Sequence, residues 1–393
     1  MILTGVVASE DNALLFKPAC RKPGKKMKVG IPKETFVGET RVATTPEIAK
    51  KLIAAGLDVV VERGAGVAAH YPDADYQAVG VTLTDVAGAF DADIVAKVRK
   101  PTLDEAGLVK SGAVFIGYSE TCDQDPAIDV LHQRNVTVIA MEKIPRISRA
   151  QSMDALSSQS NISGYRAVLE AASHFGRFFP LMMTSAGSAK PARLIVLGAG
   201  VAGLQAIATA RRLGAEVWAY DVRPETREQI ESLGAKAIEL DIGEAGSGEG
   251  GYAKELSEEG KAKQQALLAD ELAKAHVIIS TALIPCRPAP ELIPESVVQR
   301  MRAGSVIVDL AAANGGNCRL TEPDAVVSRH DVVIVGHTNY PAMVPTDASA
   351  FYSKNIANLI EIMIDRGDAG VTLKDLDADE ITEAAQLRPA VAE

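Results

Sequence analysis

Gly198, Gly200 and Gly203 stand in G-x-G-x-x-G spacing, and an acid, Asp221, follows eighteen residues after the last of them. These are the residues that binding a dinucleotide pyrophosphate calls for. Gly198 permits a tight turn, Gly200 lets the backbone approach a phosphate, and Gly203 lets a helix pack close to a strand. A helix that opens there offers free N–H groups and the positive end of its dipole. Asp221 can accept hydrogen bonds from the adenosine ribose hydroxyls. Val201 in the turn, Val222 and Arg223 beside the acid, and Ala282 and Leu283 further along are the other candidate binding residues. Arg223 is a complication, because an arginine can accept a 2′-phosphate. The strand-end position of Asp221 favours a dinucleotide without one.

A second group of chemically useful residues runs Arg146-Ile-Ser-Arg-Ala-Gln151-Ser-Met-Asp154-Ala-Leu-Ser157-Ser-Gln-Ser160-Asn161. It follows an apolar run ending at Met141, the edge of an open α/β sheet where ligands bind. Arg146, Gln151, Asp154 and Ser157 can contact a carboxamide, a ribose and a phosphate. The same residues also read as a capped helix start, with the serines serving the backbone. Arg41 and Lys97 sit at predicted strand ends. Each can hold a carboxylate, although each taken alone reads better as a surface cation. A glycine-rich arm, Gly243 to Gly251, is followed by Tyr252. It is either a solvated linker or a lid closed by that aromatic ring.

The elements that must position these groups alternate. Around the glycines, Leu194–Leu197 is an apolar run expected of a strand covered on both faces. Leu204–Leu213 reads as a helix ending at Gly214, and Glu216–Tyr220 as the next strand. Ala237–Leu240, Val277–Ser280, Ser305–Leu310 and Val332–Val335 continue the unit. Upstream, strands are expected at Lys28–Ile31 and Leu57–Glu62. Further apolar runs lie at Tyr76–Leu83, Ile94–Val98, Ala113–Tyr118 and Val136–Met141. Thr45 reads as the N-cap and Pro46 as the first residue of a helix to Ala55. A long helix is expected over Ser160–Phe179, stopped by Pro180, and another over Ala350–Ile364. This alternation implies βαβ units. The expected fold is α/β, with two Rossmann-like domains built on parallel sheets, joined by long helices and separated by a cleft. The expected divisions are an extension at 1–26, a first domain at 27–160 and 340–375, a dinucleotide-binding domain at 161–339, and a tail at 376–393.

The chain has 393 residues, 47% hydrophobic and 23% charged, with a net charge of −10. It has no basic tract, which argues against nucleic acid or an anionic membrane surface as main partner. The four cysteines form no CxxC pair and the six histidines no HExxH, so no structural metal is expected. That cysteine pattern suits a reducing, cytoplasmic setting. No stretch reads as transmembrane. Residues 1–26 read as an extension or a targeting arm, and Met27 would itself be a sensible start.

Val29-Gly-Ile-Pro-Lys-Glu34 with Arg41-Val-Ala-Thr-Thr-Pro46, the Arg146–Asn161 block, Val196–Gly203 and Asp309-Leu-Ala-Ala-Ala-Asn-Gly-Gly-Asn317 together resemble the alanine dehydrogenase/nicotinamide nucleotide transhydrogenase superfamily. The resemblance covers about residues 27–370. The Arg146–Asp154 block and Gly250-Gly-Tyr-Ala-Lys254 are similar to the transhydrogenase branch, in its NAD(H)-binding domain I. The resemblance implies that NAD(H) binds here and passes hydride to NADP(H) on a partner subunit. It also implies a membrane-spanning subunit that couples transfer to proton movement, a peripheral place at an inner membrane, and a homodimer. Arg146, Gln151, Asp154, Ser157 and Tyr252 would then work at the site of transfer. Arg41 and Lys97 match two pyruvate-site residues of alanine dehydrogenase. The positions of that enzyme's His and Asp fall on Tyr118 and Ala313. The loss of both acid–base groups argues against the alternative, a stand-alone amino-acid dehydrogenase.

Overall fold

The structure is a computed structural model that describes residues 26–120, 125–241, 258–283, 286–367 and 370–389. The first unit runs β1 (Lys28–Ile31), α1 (Pro46–Ala54), β2 (Asp58–Glu62), α2 (Asp73–Ala78), β3 (Thr82–Thr84), α3 (Val86–Phe90), β4 (Ile94–Ala96), α4 (Leu103–Leu108), β5 (Val114–Gly117), α5 (Pro126–Gln133) and β6 (Thr137–Ala140). The long helix α6 (Ala155–His174) and a hairpin, β7 (Met182–Thr184) and β8 (Gly187–Ala189), lead to the second unit. That unit runs β9 (Arg193–Leu197), α7 (Val201–Arg212), β10 (Glu216–Tyr220), α8 (Thr226–Ser232), β11 (Lys236–Ala237), α9 (Glu258–Leu272), β12 (Val277–Ser280), α10 (Glu295–Val298), β13 (Val306–Asp309), β14 (Val326–Arg329) and β15 (Val332–Val335). The chain then returns through α11 (Pro345–Met363), β16 (Ile364–Gly367), β17 (Gly370–Leu373), α12 (Glu380–Ala385) and β18 (Gln386–Leu387).

Each unit is built on a seven-stranded sheet. The first has the order β18-β6-β5-β4-β1-β2-β3 and the second β11-β10-β9-β12-β13-β15-β14. Both are parallel except at one edge, where β18 and β14 run antiparallel to their neighbours. In the first sheet the strand order reverses between β1 and β4, in the second between β9 and β12. Ligands of open α/β sheets bind at the carboxyl ends of the strands at such reversals. Arg41 and Lys97 follow β1 and β4, and the glycine turn follows β9. Leu194–Leu197, Val277–Ser280 and Val306–Asp309 are buried throughout, as runs covered on both faces must be.

The helix α6 spans both units. Ala155 at its start belongs to the first core, and Ala167, Val168 and Ala171 to the second. It lies against α7, and a Cβ on Gly164 would meet the Ala202 carbonyl oxygen at 2.0 Å, so only glycine allows this approach.

Several expectations need correction. The Tyr76–Leu83 run is not one strand: Tyr76 lies in α2, fully buried, with its hydroxyl donating to the Thr44 carbonyl at 2.7 Å. Asp73 and Asp75 in the first turn favour helix there. The long helix starts five residues earlier than expected because Asp154 caps it, and it ends at His174. Phe175 and Phe179 leave the helix to pack in the second core, 5.9 Å apart. The last long helix begins at Pro345, with proline in the first turn. Thr45 holds the N-cap position of α1 but its hydroxyl makes no cap bond, lying instead 3.5 Å from Ser353 Oγ. The expected tail is not free of the fold. Leu376, Ile381 and Ala385 enter the first core, and β18 adds a strand beside β6.

Candidate functional site

The glycine turn has the form its spacing predicts. Gly198 has φ +92°, and a Cβ there would stand 2.6 Å from Thr281 Oγ1. A Cβ on Gly203 would lie 1.8 Å from the Gly198 carbonyl oxygen. Around Gly200 no described residue comes within 4 Å of the same position, which leaves room for a ligand on this side of the turn among the described residues. No side chain caps α7, which leaves the first-turn N–H groups available to an anion. Val201 is exposed at that end. The residues present therefore fit a dinucleotide pyrophosphate.

Asp221 ends β10. Its Oδ2 accepts the Ala199 N–H at 2.7 Å, so the acid also ties down the glycine turn. Burial works against its charge, but hydrogen bonds from Arg223 and Ala199 outweigh burial and hold the carboxyl below its usual range. Asp221, Arg223, Pro224, Thr226 and Ile238 line part of a cavity of about 210 Å³, and Val222 stands exposed beside them.

Across the reversal, Thr281 donates to the carbonyls of Leu197 and Gly198 at 3.0 and 3.1 Å. Asn317, fully buried, fixes the following segment. Its Oδ1 accepts from Ser280 Oγ at 2.6 Å and Ala282 N–H at 3.2 Å, and its Nδ2 donates to the carbonyls of Ala282 and Pro290, both at 2.8 Å. Ala282 is thus held on both backbone groups, while Leu283 projects outward. Thr281 was not foreseen as belonging to the site and Asn317 only as a motif residue. The one signal was the Gly315-Gly316-Asn317 run.

The Arg146 block divides. Asp154 and Ser157 are brought together: Asp154 accepts from the Ser157 N–H at 2.8 Å and from its hydroxyl at 2.6 Å. This is the capped helix start. Arg146 and Gln151 are exposed, and their side chains make no hydrogen bond or ion pair among the described residues. The helical turn Ser148–Met153 that carries Gln151 is anchored by Arg149, which pairs with both Asp379 oxygens at 2.7 and 2.8 Å. Tyr252 and the Gly243–Gly251 arm lie outside the described residues.

Arg41 and Lys97 are not surface cations. They are 4% and 1% exposed. Arg41 clamps Glu39 through Nε at 2.8 Å and Nη2 at 2.7 Å and reaches Gln159 Oε1 of α6 at 2.9 Å. Burial opposes the charge of Glu39, but Arg41 prevails and holds its carboxyl down at about 2. Lys97 pairs with Glu105 at 2.7 Å and lies 3.9 Å from Glu34. Burial pushes Glu34 up to about 7 against the pull of Lys97. Asn339, after β15, donates to Glu39 at 3.1 Å and so joins this cluster to the second unit. Tyr118 is buried with no partner for its hydroxyl, its ring 5.4 Å from that of Tyr352. Burial raises its pKa well above the phenol range. Tyr118 therefore stays protonated at neutral pH, and Ala313 has no titratable group. Among the described residues no group of acids, cysteines and histidines could hold a metal.

Two family models cover this architecture: the alanine dehydrogenase/PNT N-terminal domain matches residues 30–163, and its C-terminal domain residues 167–386. The chain belongs to the alanine dehydrogenase/PNT family. Within that family it is 50% identical over 357 residues to the first portion of the NAD(P) transhydrogenase alpha subunit of Rhodospirillum rubrum, a match covering 88% of this chain and 93% of that one. A crystal structure of transhydrogenase from Sinorhizobium meliloti is 44% identical and superposes with a TM-score of 0.78, over 86% of this chain and 94% of that chain. The alanine dehydrogenase of Mycobacterium tuberculosis is 29% identical over 86% of this chain and 87% of its own length. Of these relatives the transhydrogenases are the nearer, at 50% and 44% identity against 29%.

Proposed function

We propose that this chain is the NAD(H)-binding subunit of a proton-translocating NAD(P) transhydrogenase. The observation that supports it best is the pairing of one complete dinucleotide turn, closed by Asp221, with positions Tyr118 and Ala313 that hold no group titrating near neutral pH. When bound, NAD(H) gives or takes the hydride, and the other nicotinamide, that of NADP(H), is brought by a partner subunit. Hydride transfer between two carbons needs no proton relay, so the chain's task is positioning.

Gly198, Gly200, Val201 and Gly203 would hold the pyrophosphate, with Asp221, Val222 and Arg223 at the adenosine ribose. Ala282 and Leu283, fixed by Asn317, would flank the inner half of the cofactor. Arg146 and Gln151 remain free to orient the nicotinamide end. Asp154 and Ser157 set the start of α6 and would offer their remaining capacity there, and Tyr252 would close over the site. The cluster around Arg41 and Lys97 satisfies its own charges, and through Gln159 and Asn339 it would brace the two units against each other. Arg149, held by Asp379, would keep Gln151 in place.

No helix among the described residues is long and apolar enough to cross a membrane. We infer that proton movement belongs to a separate membrane-spanning subunit. The chain would then sit at the cytoplasmic face of the inner membrane as a homodimer, peripheral through its partners. Mixing the full chain with an NADP(H)-binding transhydrogenase subunit should give NADH-dependent reduction of NADP⁺ or an analogue. The chain alone should bind NADH yet oxidise little of it with pyruvate and ammonium. Robust turnover under those last conditions would overturn the reading in favour of an amino-acid dehydrogenase.

A further inference from the structure

At the amino-terminal edge of the second sheet, opposite the glycine turn, three donors converge with no acceptor among the described residues. His276 directly precedes β12. Its Nδ1 accepts the backbone N–H of Arg193, the first residue of β9, at 2.9 Å. Its own backbone is held as well, with the N–H donating to the Arg193 carbonyl at 2.9 Å and the carbonyl accepting from Val306 at 3.0 Å. The ring stacks on Phe175, with centroids 6.1 Å apart. Position and tautomer of the imidazole are therefore fixed. Because Nδ1 accepts an N–H, the ring is neutral, and burial together with Arg177, Arg302 and Arg193 lowers its pKa in the same sense.

A neutral imidazole carries one N–H, and with Nδ1 accepting, the proton must sit on Nε2. The groups nearest to Nε2 are Arg302 Nη1 at 3.3 Å and Arg177 Nη1 at 3.5 Å. A guanidinium has donors only. Neither arginine has a carboxylate partner among the described residues. The carboxylates on the neighbouring α9 are taken: Glu271 by Arg193 and Lys274, and Asp270 by Arg300. Three N–H groups thus face one another, two of them on exposed, charged side chains.

We propose that Arg177, His276 and Arg302 form a binding site for a phosphate group. A phosphate offers enough oxygens for three donors and a charge that suits two guanidinium groups, whose planar forks favour such oxyanions. The site is separate from the dinucleotide turn. The five residues of β9 lie between them, about 15 Å at the rise of a strand. Inorganic phosphate and a phosphate monoester share this chemistry, and both serve as probes.

The test follows the His276 side-chain nitrogens by NMR in the full chain, the signal being identified by its loss in His276→Gln. Without phosphate the ring should show the Nε2–H tautomer. Inorganic phosphate or glycerol 3-phosphate, added at constant ionic strength, should shift the Nε2 resonance saturably. Saturation by both probes assigns the site to phosphate groups generally, and by one alone to that form. Arg302→Gln and Arg177→Gln, both at exposed positions, should each weaken the response at least about tenfold. Phosphate binding at the α7 N-terminus would not move this resonance. A non-saturable response, an Nδ1–H tautomer, or undiminished binding in the double arginine variant would overturn the proposal.

Discussion

Asp221 and Arg223 grip each other through both carboxylate oxygens: Oδ1 accepts from the Arg223 backbone N–H at 2.9 Å and from Nε at 3.0 Å, and Oδ2 accepts from Nη2 at 3.0 Å. The carboxylate is nearly buried, while the guanidinium is half exposed. A ribose bound at Asp221 would share the acid with Arg223 or displace the arginine. A 2′-phosphate would meet the negative charge of Asp221 first. Asp221→Ala is expected to weaken NADH binding by roughly 1.5–3 kcal/mol, the scale of a charge-assisted hydrogen bond. Calorimetric titration of NADH and NADPH checks this, and equal or tighter binding of NADPH by the unaltered chain would refute it.

Gln151 is expected to matter for transfer rather than for affinity. It is exposed on a turn held by Arg149, on the first unit, whereas the glycine turn and Asp221 belong to the second. Gln151→Asn draws the amide back by one methylene. A misplacement of about 1 Å can cost on the order of 100-fold in rate. Steady-state transfer in the reconstituted complex, measured beside NADH titration, separates the two effects. A large loss of affinity with unchanged turnover would make Gln151 an anchor.

The Asn317 side chain makes four hydrogen bonds among the described residues and lies wholly inside the protein. Asn317→Ala leaves the Ser280 hydroxyl and the Ala282 backbone without their partner. Buried groups stranded in this way cost about 1–3 kcal/mol each, so urea unfolding should show a loss of at least about 2 kcal/mol. NADH affinity should fall too, because Ala282 and Leu283 lose their support. Unchanged affinity in a folded variant would remove this segment from the binding site.

Glu34 sets a pH dependence of stability. Its carboxyl titrates at about 7 in the folded chain against 4.5 for an unperturbed glutamate. Between these values the folded state holds a proton that the unfolded state has lost, so stability falls as pH rises from 4.5 to about 7 and then levels off. Glu39 acts in the opposite sense, and its contribution disappears only as pH falls towards about 2. Glu34→Gln should flatten the unfolding free energy across the first interval. A variant whose denaturation midpoint follows pH as the parent does would rule Glu34 out as the source.

Much of the dinucleotide half was legible in the residues themselves. Glu216–Tyr220, Val277–Ser280 and Val332–Val335 have the observed bounds that their apolar runs predict. A strand covered on both faces must be apolar along its whole length, so composition reports position. The glycines were legible for a similar reason. Gly198 needs a positive φ and Gly203 a missing Cβ, and both needs are local to the turn.

What only the tertiary structure decided concerns side chains that meet across the chain. Arg41 and Lys97 read as surface cations because nothing near them in sequence announces Gln159 and Asn339 beside Arg41, or Glu34 beside Lys97. Tyr76 read as strand because burial, not periodicity, places it. The last residues read as a tail because pairing of β18 with β6 is visible only once the first sheet is assembled. Asp154 and Ser157 offered two readings, ligand contact and helix cap, and the backbone took the cap. The sequence by itself determined which backbone conformations the turn and strands require. Which charges are buried, and against which partners, was settled by contacts between residues far apart, whose desolvation is offset only when the closed fold brings the opposite charge within reach.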